Sequence, residues 1–367
     1  MIMSRFYDNV VGGVERMSID LANNMIARGI ETELFSWDRA DGNTCFPLDP
    51  QVKWHKLDMG AVDQKSSWFL RAKRIHKIRQ IVKQSAPDVI VGFQSGIFWN
   101  AVAGSLGMGI PVIAAERNAP DRFDHLSTKW QRPLIDFSFL LATRVTVQFK
   151  EYVDRYPGYL RSRIIVIGNP VPQAFRQVDP GDLDTEVNTL ICVGRLCYQK
   201  NQGALLDAFD LIAGAFPNWR LKFLGVGEDT AVLRARASVS PFASRIEFTG
   251  SVLNVSDHLA TSHLFCLPSR WEGFPNAMAE AMAHGLPCVG FQGCAGMPQL
   301  LHDGKTGGLA EGNGDPESLA KALSLMMRAP SLRKKVGDAA RAFVSQFEPG
   351  KVYDEWEALF RELGGKK

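Results

Sequence analysis

Short apolar runs alternate with longer amphipathic ones along most of the chain, and a proline-rich break, Gly168-Asn169-Pro170-Val171-Pro172, interrupts the alternation. Strand–helix alternation predicts a parallel sheet covered by helices on both faces. Two rounds of it, in a chain of 367 residues, exceed one ordinary core. Neither a strand nor a helix runs through the break, because its two prolines remove backbone donors and fix φ. The expected fold class is α/β: two Rossmann-like, doubly wound domains facing each other across a cleft, with the first ending at residue 170 and the second starting at 171.

In the first half, Ile2-Met3-Ser4 makes a short opening strand, either an edge-like stub or the remnant of a start lying upstream. Gly12-Gly13 precede a helix over 14–28, a setting that suits a phosphate or sugar close to backbone; a tight turn accounts for the glycine pair equally well. Residues 64–85 read as a helix carrying Lys65, Arg71, Lys73, Arg74, Lys77, Arg79 and Lys83, with no acid between Asp63 and Asp88. Trp68, Ile75, Ile78 and Val82 share its apolar face. Such a helix can lie on an anionic membrane or track a phosphate group, or its cations simply form a solvated face. The strand over 111–115 ends in Glu116-Arg117-Asn118. Loops beyond strand carboxyl ends line the ligand crevice of parallel sheets, so these three are candidates for catalysis or acceptor contact. A helix over 131–141 and strands over 144–147 and 164–167 complete the unit.

The second half places its chemistry in two loops. Val193-Gly194-Arg195-Leu196-Cys197-Tyr198-Gln199-Lys200-Asn201 follows a strand and sets two cations five residues apart. Arg195 and Lys200 are suited to a diphosphate, whose charge grows as it leaves. Downstream, a strand over 264–267 feeds the loop Trp271-Glu272-Gly273-Phe274-Pro275 and a helix over 276–284, stopped by Gly285. Backbone N–H groups at such a junction hold anions. Glu272 in the loop and Glu280 in the helix lie eight positions apart, the first placed to face a ligand at the helix mouth, the second to reach hydroxyls alongside.

The order Gly-Arg-Leu…Lys-Asn, then Phe223-Leu224-Gly225-Val226-Gly227, then Phe248-Thr249-Gly250, then Glu272-x7-Glu280, resembles the retaining glycosyltransferases of family 4. Gly12-Gly13-Val14-Glu15 matches that family's Gly-Gly-x-Glu opening, so the resemblance extends from Gly12 to Arg341. It implies the GT-B architecture: an acceptor-side domain over 1–170, a donor domain over 171–347, and a C-terminal helix within 348–367 that crosses back to the first domain. It further implies that Arg195 and Lys200 bind the donor diphosphate, that Glu280 takes the ribose hydroxyls, and that Glu272 lies beside the sugar ring. Backbone at Gly13, Gly273, Phe274 and Asn276 would complete the phosphate cradle. Many members carry a histidine where this chain has Glu116-Arg117-Asn118. That departure resembles a subset acting on lipid-linked or polysaccharide acceptors with N-acetylgalactosamine, galactose or N-acetylglucosamine donors. Glu272 and Glu116 are accordingly the catalytic candidates, and Arg117, Asn118, Lys73 and Lys77 the acceptor contacts. In same-face attack the donor phosphate itself takes the acceptor's proton, and no protein base is required.

The expected partners are thus a UDP-sugar, a glycan or lipid-diphosphate acceptor, and an anionic membrane surface. A GDP-mannose or other nucleotide-sugar transferase, or a non-catalytic binding subunit, are the alternatives. A net charge of +3 is too small to imply nucleic acid, and no cofactor or metal is called for. Asp182-Leu183-Asp184 has the Asp-x-Asp form used by metal-dependent transferases of another fold, but sits in an acidic run past the linker. Gly225-x-Gly227 lacks the third glycine of a dinucleotide fingerprint, and His258, His263, His284 and His302 share no ligand spacing. The six cysteines have no metal-ligand spacing either and suit a reducing, cytoplasmic setting. No signal peptide or run of ~18–20 apolar residues is recognisable.

Overall fold

The computed structural model describes residues 1–8, 10, 12–59, 67–174, 187–252 and 254–365. They form two units, Met1–Pro170 with Gly350–Lys367, and Val171–Pro349. Lys65 and the acidic run containing Asp182 and Asp184 lie outside the described residues.

The first unit runs β1 (Ile2–Met3), α1 (Gly13–Ala27), β2 (Glu33–Ser36), β3 (Lys53–Lys56), α2 (Trp68–Ser85), β4 (Ile90–Phe93), α3 (Ser95–Ser105), β5 (Val112–Ala115), α4 (Arg132–Ser138), β6 (Arg144–Val147), α5 (Lys150–Val153), α6 (Gly158–Arg161) and β7 (Ile164–Val166). Its sheet has the order β3-β2-β1-β4-β5-β6-β7, with every pair parallel. From β1 the chain steps toward one edge, and from β3 onward each step runs toward the other. Right-handed crossovers therefore put α1 on one face and α2, α3 and α4 on the opposite face. α3 sits tightly on α2: a Cβ at Gly104 would collide with Ile78. The sequence gives no apolar run at Lys53-Trp54-His55-Lys56, yet it pairs as the edge strand, where lysines discourage further pairing.

The second unit runs β8 (Asn188–Val193), α7 (Gln202–Ile212), β9 (Trp219–Leu224), α8 (Thr230–Ser238), β10 (Ile246–Gly250), α9 (Val255–Leu259), β11 (Leu264–Leu267), α10 (Asn276–Ala283), β12 (Cys288–Phe291), α11 (Met297–Leu300), β13 (Gly308–Ala310), α12 (Pro316–Arg328) and α13 (Pro330–Val344). The sheet order is β10-β9-β8-β11-β12-β13, again parallel. Strand order reverses between β8 and β11, which makes that boundary the topological switch point where ligands of such sheets bind. α13 was not expected from the sequence, because its buried side includes small and charged residues, Gly337, Ala340 and Arg333. Arg333 Nη1 donates to the carbonyls of Met326 (2.9 Å) and Met327 (3.0 Å) at the end of α12, and the guanidinium lies 5.3 Å from the Trp219 ring centroid.

The last helix, α14 (Pro349–Gly364), brings the chain back into the first unit. Val352, Trp356, Leu359 and Leu363 recur at helical spacing and are buried with Ile2, Met17, Leu21, Val91, Phe93 and Ile113. Arg28 ties the helix to α1, reaching Asp354 at 2.6 Å and Glu357 at 2.8 Å. The Arg28–Asp354 pair is exposed and contributes little beside the apolar stripe, and the Arg28–Glu357 pair is part-buried. Among the described residues, no helix is long and apolar enough to cross a membrane.

Trp356 is fully buried in this stripe. Replacing it with alanine should cost the first unit about 3–5 kcal/mol, from lost transfer energy and the cavity left behind. Thermal melting of Trp356→Ala would show a clearly lowered transition; an unchanged melt would mean that α14 does not support the first unit.

Candidate functional site

In the second unit, the loops after β8 and β11 meet at the switch point. Gly194 leaves β8 with φ +149°, and the Lys200 side chain lies over the bare Cα, with Lys200 Cε 3.6 Å from where a Cβ would stand. Lys200 Nζ is 2.6 Å from Glu272 Oε1, and Ser269 Oγ donates to that same oxygen at 2.6 Å. Ser269 is fully buried and Glu272 is only 5 % exposed. Burial acts to lower the Lys200 pKa, but the adjacent Glu272 carboxylate outweighs it, and the ammonium ends above its ordinary value.

Further hydrogen bonds stitch the two loops together. Gln199 Nε2 donates to the Trp271 carbonyl (2.9 Å), and the Arg270 N–H donates to the Gln199 carbonyl (2.8 Å). The Arg270 guanidinium reaches the Tyr198 carbonyl (3.2 Å) and Asn201 Oδ1 (2.9 Å) and lies over the Tyr198 ring. Gly225-Val226-Gly227 braces the first loop from its other side. A Cβ at Gly225 would strike the Gly194 carbonyl, and one at Gly227 the Leu196 carbonyl. The glycines are therefore required by backbone-to-backbone approach.

The other candidate donor residues lie in these surroundings. Arg195 is exposed and faces Glu228 at 3.6 Å, outside the Lys200–Glu272–Ser269 cluster. Glu280 lies half-buried on the second turn of α10. The Asn276 N–H is taken by the Phe274 carbonyl (2.9 Å), and Phe274 is buried edge-on against Phe347, 5.2 Å between centroids. At α1, the side chain of Glu15 folds back over Gly12, in the space a Cβ there would need, beside Gly13. Burial raises the pKa of that carboxyl.

In the first unit, Glu116 follows β5 and is buried; its Oε1 accepts from the Asn118 N–H (3.0 Å), Asn118 Nδ2 (3.0 Å) and Arg122 Nη1 (2.9 Å). These bonds fix the loop that follows the strand. Arg117 departs from the expected acceptor contact by turning inward. It donates to the Ile167 carbonyl (2.8 Å), Thr146 Oγ1 (2.7 Å) and Asn169 Oδ1 (3.4 Å), with its guanidinium 5.4 Å from the Trp356 ring centroid. Burial pushes its pKa down to about 9, so it stays charged at neutral pH. On α2, Lys73 and Lys77 are exposed one turn apart, whereas Arg74 turns inward to the Met59 carbonyl and the Trp37 ring.

Among the described residues, no three His, Cys, Asp or Glu side chains are grouped to hold a metal. His263 Nδ1 accepts from the Thr189 N–H (3.0 Å), His284 lies 3.1 Å from Ser256 Oγ, and His302 packs edge-on to Phe343; His258 belongs to α9. A cavity of about 500 Å³ at the amino ends of the first unit's strands is lined by Glu33, Asp88, Phe360 and Arg361 among others. It lies at the opposite end of that sheet from the loop bearing Glu116. Ser269, Arg270, Gln199 and Arg122 were missed in the sequence. Ser269, three residues before Glu272, offered the one local hint.

Residues 12–170 match the family model described as a glycosyl transferase 4-like domain, and residues 187–329 match that of the glycosyl transferases group 1. An uncharacterized glycosyltransferase of Haemophilus influenzae is 27% identical over 95% of this chain and 96% of its own. A Campylobacter jejuni enzyme is 24% identical over 96% of both chains; its name describes an α-1,4-N-acetyl-D-galactosaminyltransferase acting on an undecaprenol-diphosphate-linked GalNAc disaccharide on diNAcBac. The solved structure of the lipopolysaccharide outer core galactosyltransferase WaaB superposes with a TM-score of 0.76 at 20% identity, covering 98% of each chain. The architecture is GT-B, two Rossmann-like units of seven and six parallel strands.

The Lys200–Glu272 pair makes a direct prediction. Lys200→Met strands a buried carboxylate and should destabilise the second unit by about 3 kcal/mol, most of which Lys200→Met/Glu272→Gln should restore. The raised Lys200 pKa means that the pair's contribution is fully present below the unfolded lysine value, ~10.4, and is lost only as pH rises through the folded value. The melting difference between wild type and Lys200→Met should therefore be flat from about pH 6 to 9 and shrink above about pH 10.5. Equal melting at neutral pH would show that the pair is not coupled.

Proposed function

The chain belongs to the group 1, family-4-like glycosyltransferases, and from that premise we propose that it moves a hexose or N-acetylhexosamine from a UDP-sugar to a lipid-linked or polysaccharide glycan, with retention at the anomeric carbon. The buried Lys200–Glu272 pair at the switch point carries this reading. Burying two charges costs several kcal/mol each, and apolar residues of similar volume hold a loop together as well or better. An ammonium kept charged, oriented and shielded at the carboxyl ends of β8 and β11 is instead suited to an anionic ligand arriving there.

In this reading Lys200 is shared between Glu272 and the donor diphosphate. Arg195, exposed and loosely held by Glu228, swings onto the same phosphates. Glu280 takes the ribose hydroxyls. Glu272, held by Ser269, faces the sugar, where it binds a hydroxyl or stabilises positive charge as the glycosidic bond breaks. The leaving phosphate takes the acceptor's proton on the same face, so no protein base and no divalent metal enter the reaction. Glu116 orders the acceptor-side loop with Asn118 and Arg122, and Lys73 and Lys77 meet the acceptor's diphosphate or an anionic membrane. The acceptor class rests on the family subset that carries Glu-Arg-Asn after β5 and on the activity named for the Campylobacter relative.

A melting panel with UDP-, GDP- and ADP-sugars tests the donor, since a ligand at one hundred times its dissociation constant stabilises the folded state by about 2.7 kcal/mol. UDP-GalNAc, UDP-galactose or UDP-GlcNAc should raise the melting temperature most. The same sugars with a polyprenyl-diphosphate oligosaccharide should give an α-linked product by NMR, undiminished in EDTA. A shift with GDP-mannose alone would replace the donor, and binding without turnover would make the chain a non-catalytic subunit.

A further inference from the structure

Helices on a protein surface ordinarily turn their apolar side inward. The helical run from Lys129 to Leu141, made of α4 and the 3-10 turns before and after it, does the reverse on one side. Trp130, Leu134, Phe137 and Leu141 follow one another at helical spacing and are 55 % to 65 % exposed. The inward side holds Asp136, Ser138 and Phe139, and Phe139 contacts Phe98 of α3 at 5.7 Å. The run is well anchored: Arg132 lies 3.8 Å from Asp136 and donates to the Arg155 carbonyl at 2.8 Å. The outward stripe is therefore a fixed feature of the surface, and a contiguous exposed apolar patch on a folded protein marks an interaction site.

The same face of the sheet supplies the complementary charge. Right-handed crossovers place α3 next to α4 and α2 beyond α3 on the same face. Exposed Trp99 of α3 lies on this face, and α2 adds exposed Arg71, Lys73, Lys77 and Lys83 without one acidic residue between Trp68 and Ser85. Aromatic and leucine side chains beside a lysine- and arginine-rich helix match the interface of an anionic bilayer, where rings sit at headgroup level and cations meet phosphates. Protein-binding patches differ, being depleted in lysine.

We propose that this face docks on an anionic lipid surface, with Trp130, Leu134, Phe137 and Leu141 entering the headgroup–acyl boundary while α2 supplies the electrostatic attraction. The proposal deepens the reading of a membrane-borne acceptor and rests on that reading only for its purpose. It assigns insertion to α4 and the 3-10 turns that flank it.

The test is co-sedimentation of the full chain with vesicles of phosphatidylcholine containing phosphatidylglycerol, with phosphatidylcholine vesicles as the control. Wild type should bind the anionic vesicles, and Trp130→Ser/Leu134→Ser/Phe137→Ser should bind them at least about tenfold more weakly. The replaced side chains are largely exposed, so melting should match wild type; a lowered melt moves the test to Phe137→Ser alone, which should still weaken binding severalfold. Equal sedimentation of variant and wild type overturns the proposal. So does a concentration-dependent dimer of the wild type that the substitutions dissolve, which would assign the stripe to a second copy of the chain. Neither donor nor acceptor enters this assay, so failure of sugar transfer and failure of membrane docking are read separately.

Discussion

One largely buried lysine–glutamate pair, placed where strand order reverses in the second sheet, governs the arrangement of the loops around it. Two charges in that position are stable only while each compensates the other and the remaining lone pairs are satisfied. Ser269 supplies part of that satisfaction, and the Gln199–Trp271 and Arg270–Gln199 hydrogen bonds hold the backbones at the required separation. Gly225 and Gly227 let the loop after β9 pack against the backbone of the loop after β8 where side chains would not fit, and Gly194 takes a positive φ that side chains disfavour. The loops are thus built around a polar centre rather than an apolar one, and such a centre is preorganised for ligand charge.

The first unit follows a different plan. Its carboxylate at the end of β5, Glu116, spends its bonds on the loop that follows. Arg117 next to it is withdrawn into the interior, where it joins the ends of β6 and β7 to the tryptophan of the last helix. Neighbouring residues in one short motif therefore serve unlike purposes. The helices on one face of this sheet leave basic and aromatic side chains in water, whereas α1 and α14 cover the other face with a dense apolar cluster.

Much of the architecture was legible because buried parallel strands are continuous apolar runs: Leu264–Leu267 and Cys288–Phe291 form strands where the pattern placed them. The elements that escaped lack that signature. Lys53–Lys56 is polar and sits at an edge, Gly308–Ala310 is three residues long, and α13 buries an arginine on its inner side. Site residues divide in the same way. Lys200 and Glu272 stood out only through the joint order of motifs that carries the family resemblance, and the two side chains pair in the structure. The inward turns of Arg74 and Arg117 depend on carbonyls and rings remote in sequence, and periodicity carries no record of those. The apolar stripe on α4 was hidden for a related reason: helical spacing identifies a face without saying whether the fold covers it.

The central claim is that the Lys200 ammonium serves two anions, the Glu272 carboxylate and the donor's diphosphate. The most direct measurement is the ratio of UDP to UMP affinity by calorimetry, in wild type and in Lys200→Met. A charge-assisted contact to the second phosphate is worth about 1.5–3 kcal/mol, so the wild-type preference for UDP should fall by roughly ten- to a hundredfold in the variant while UMP binding changes little. An unchanged ratio would contradict the account and leave the buried pair as an internal fastening of the second unit.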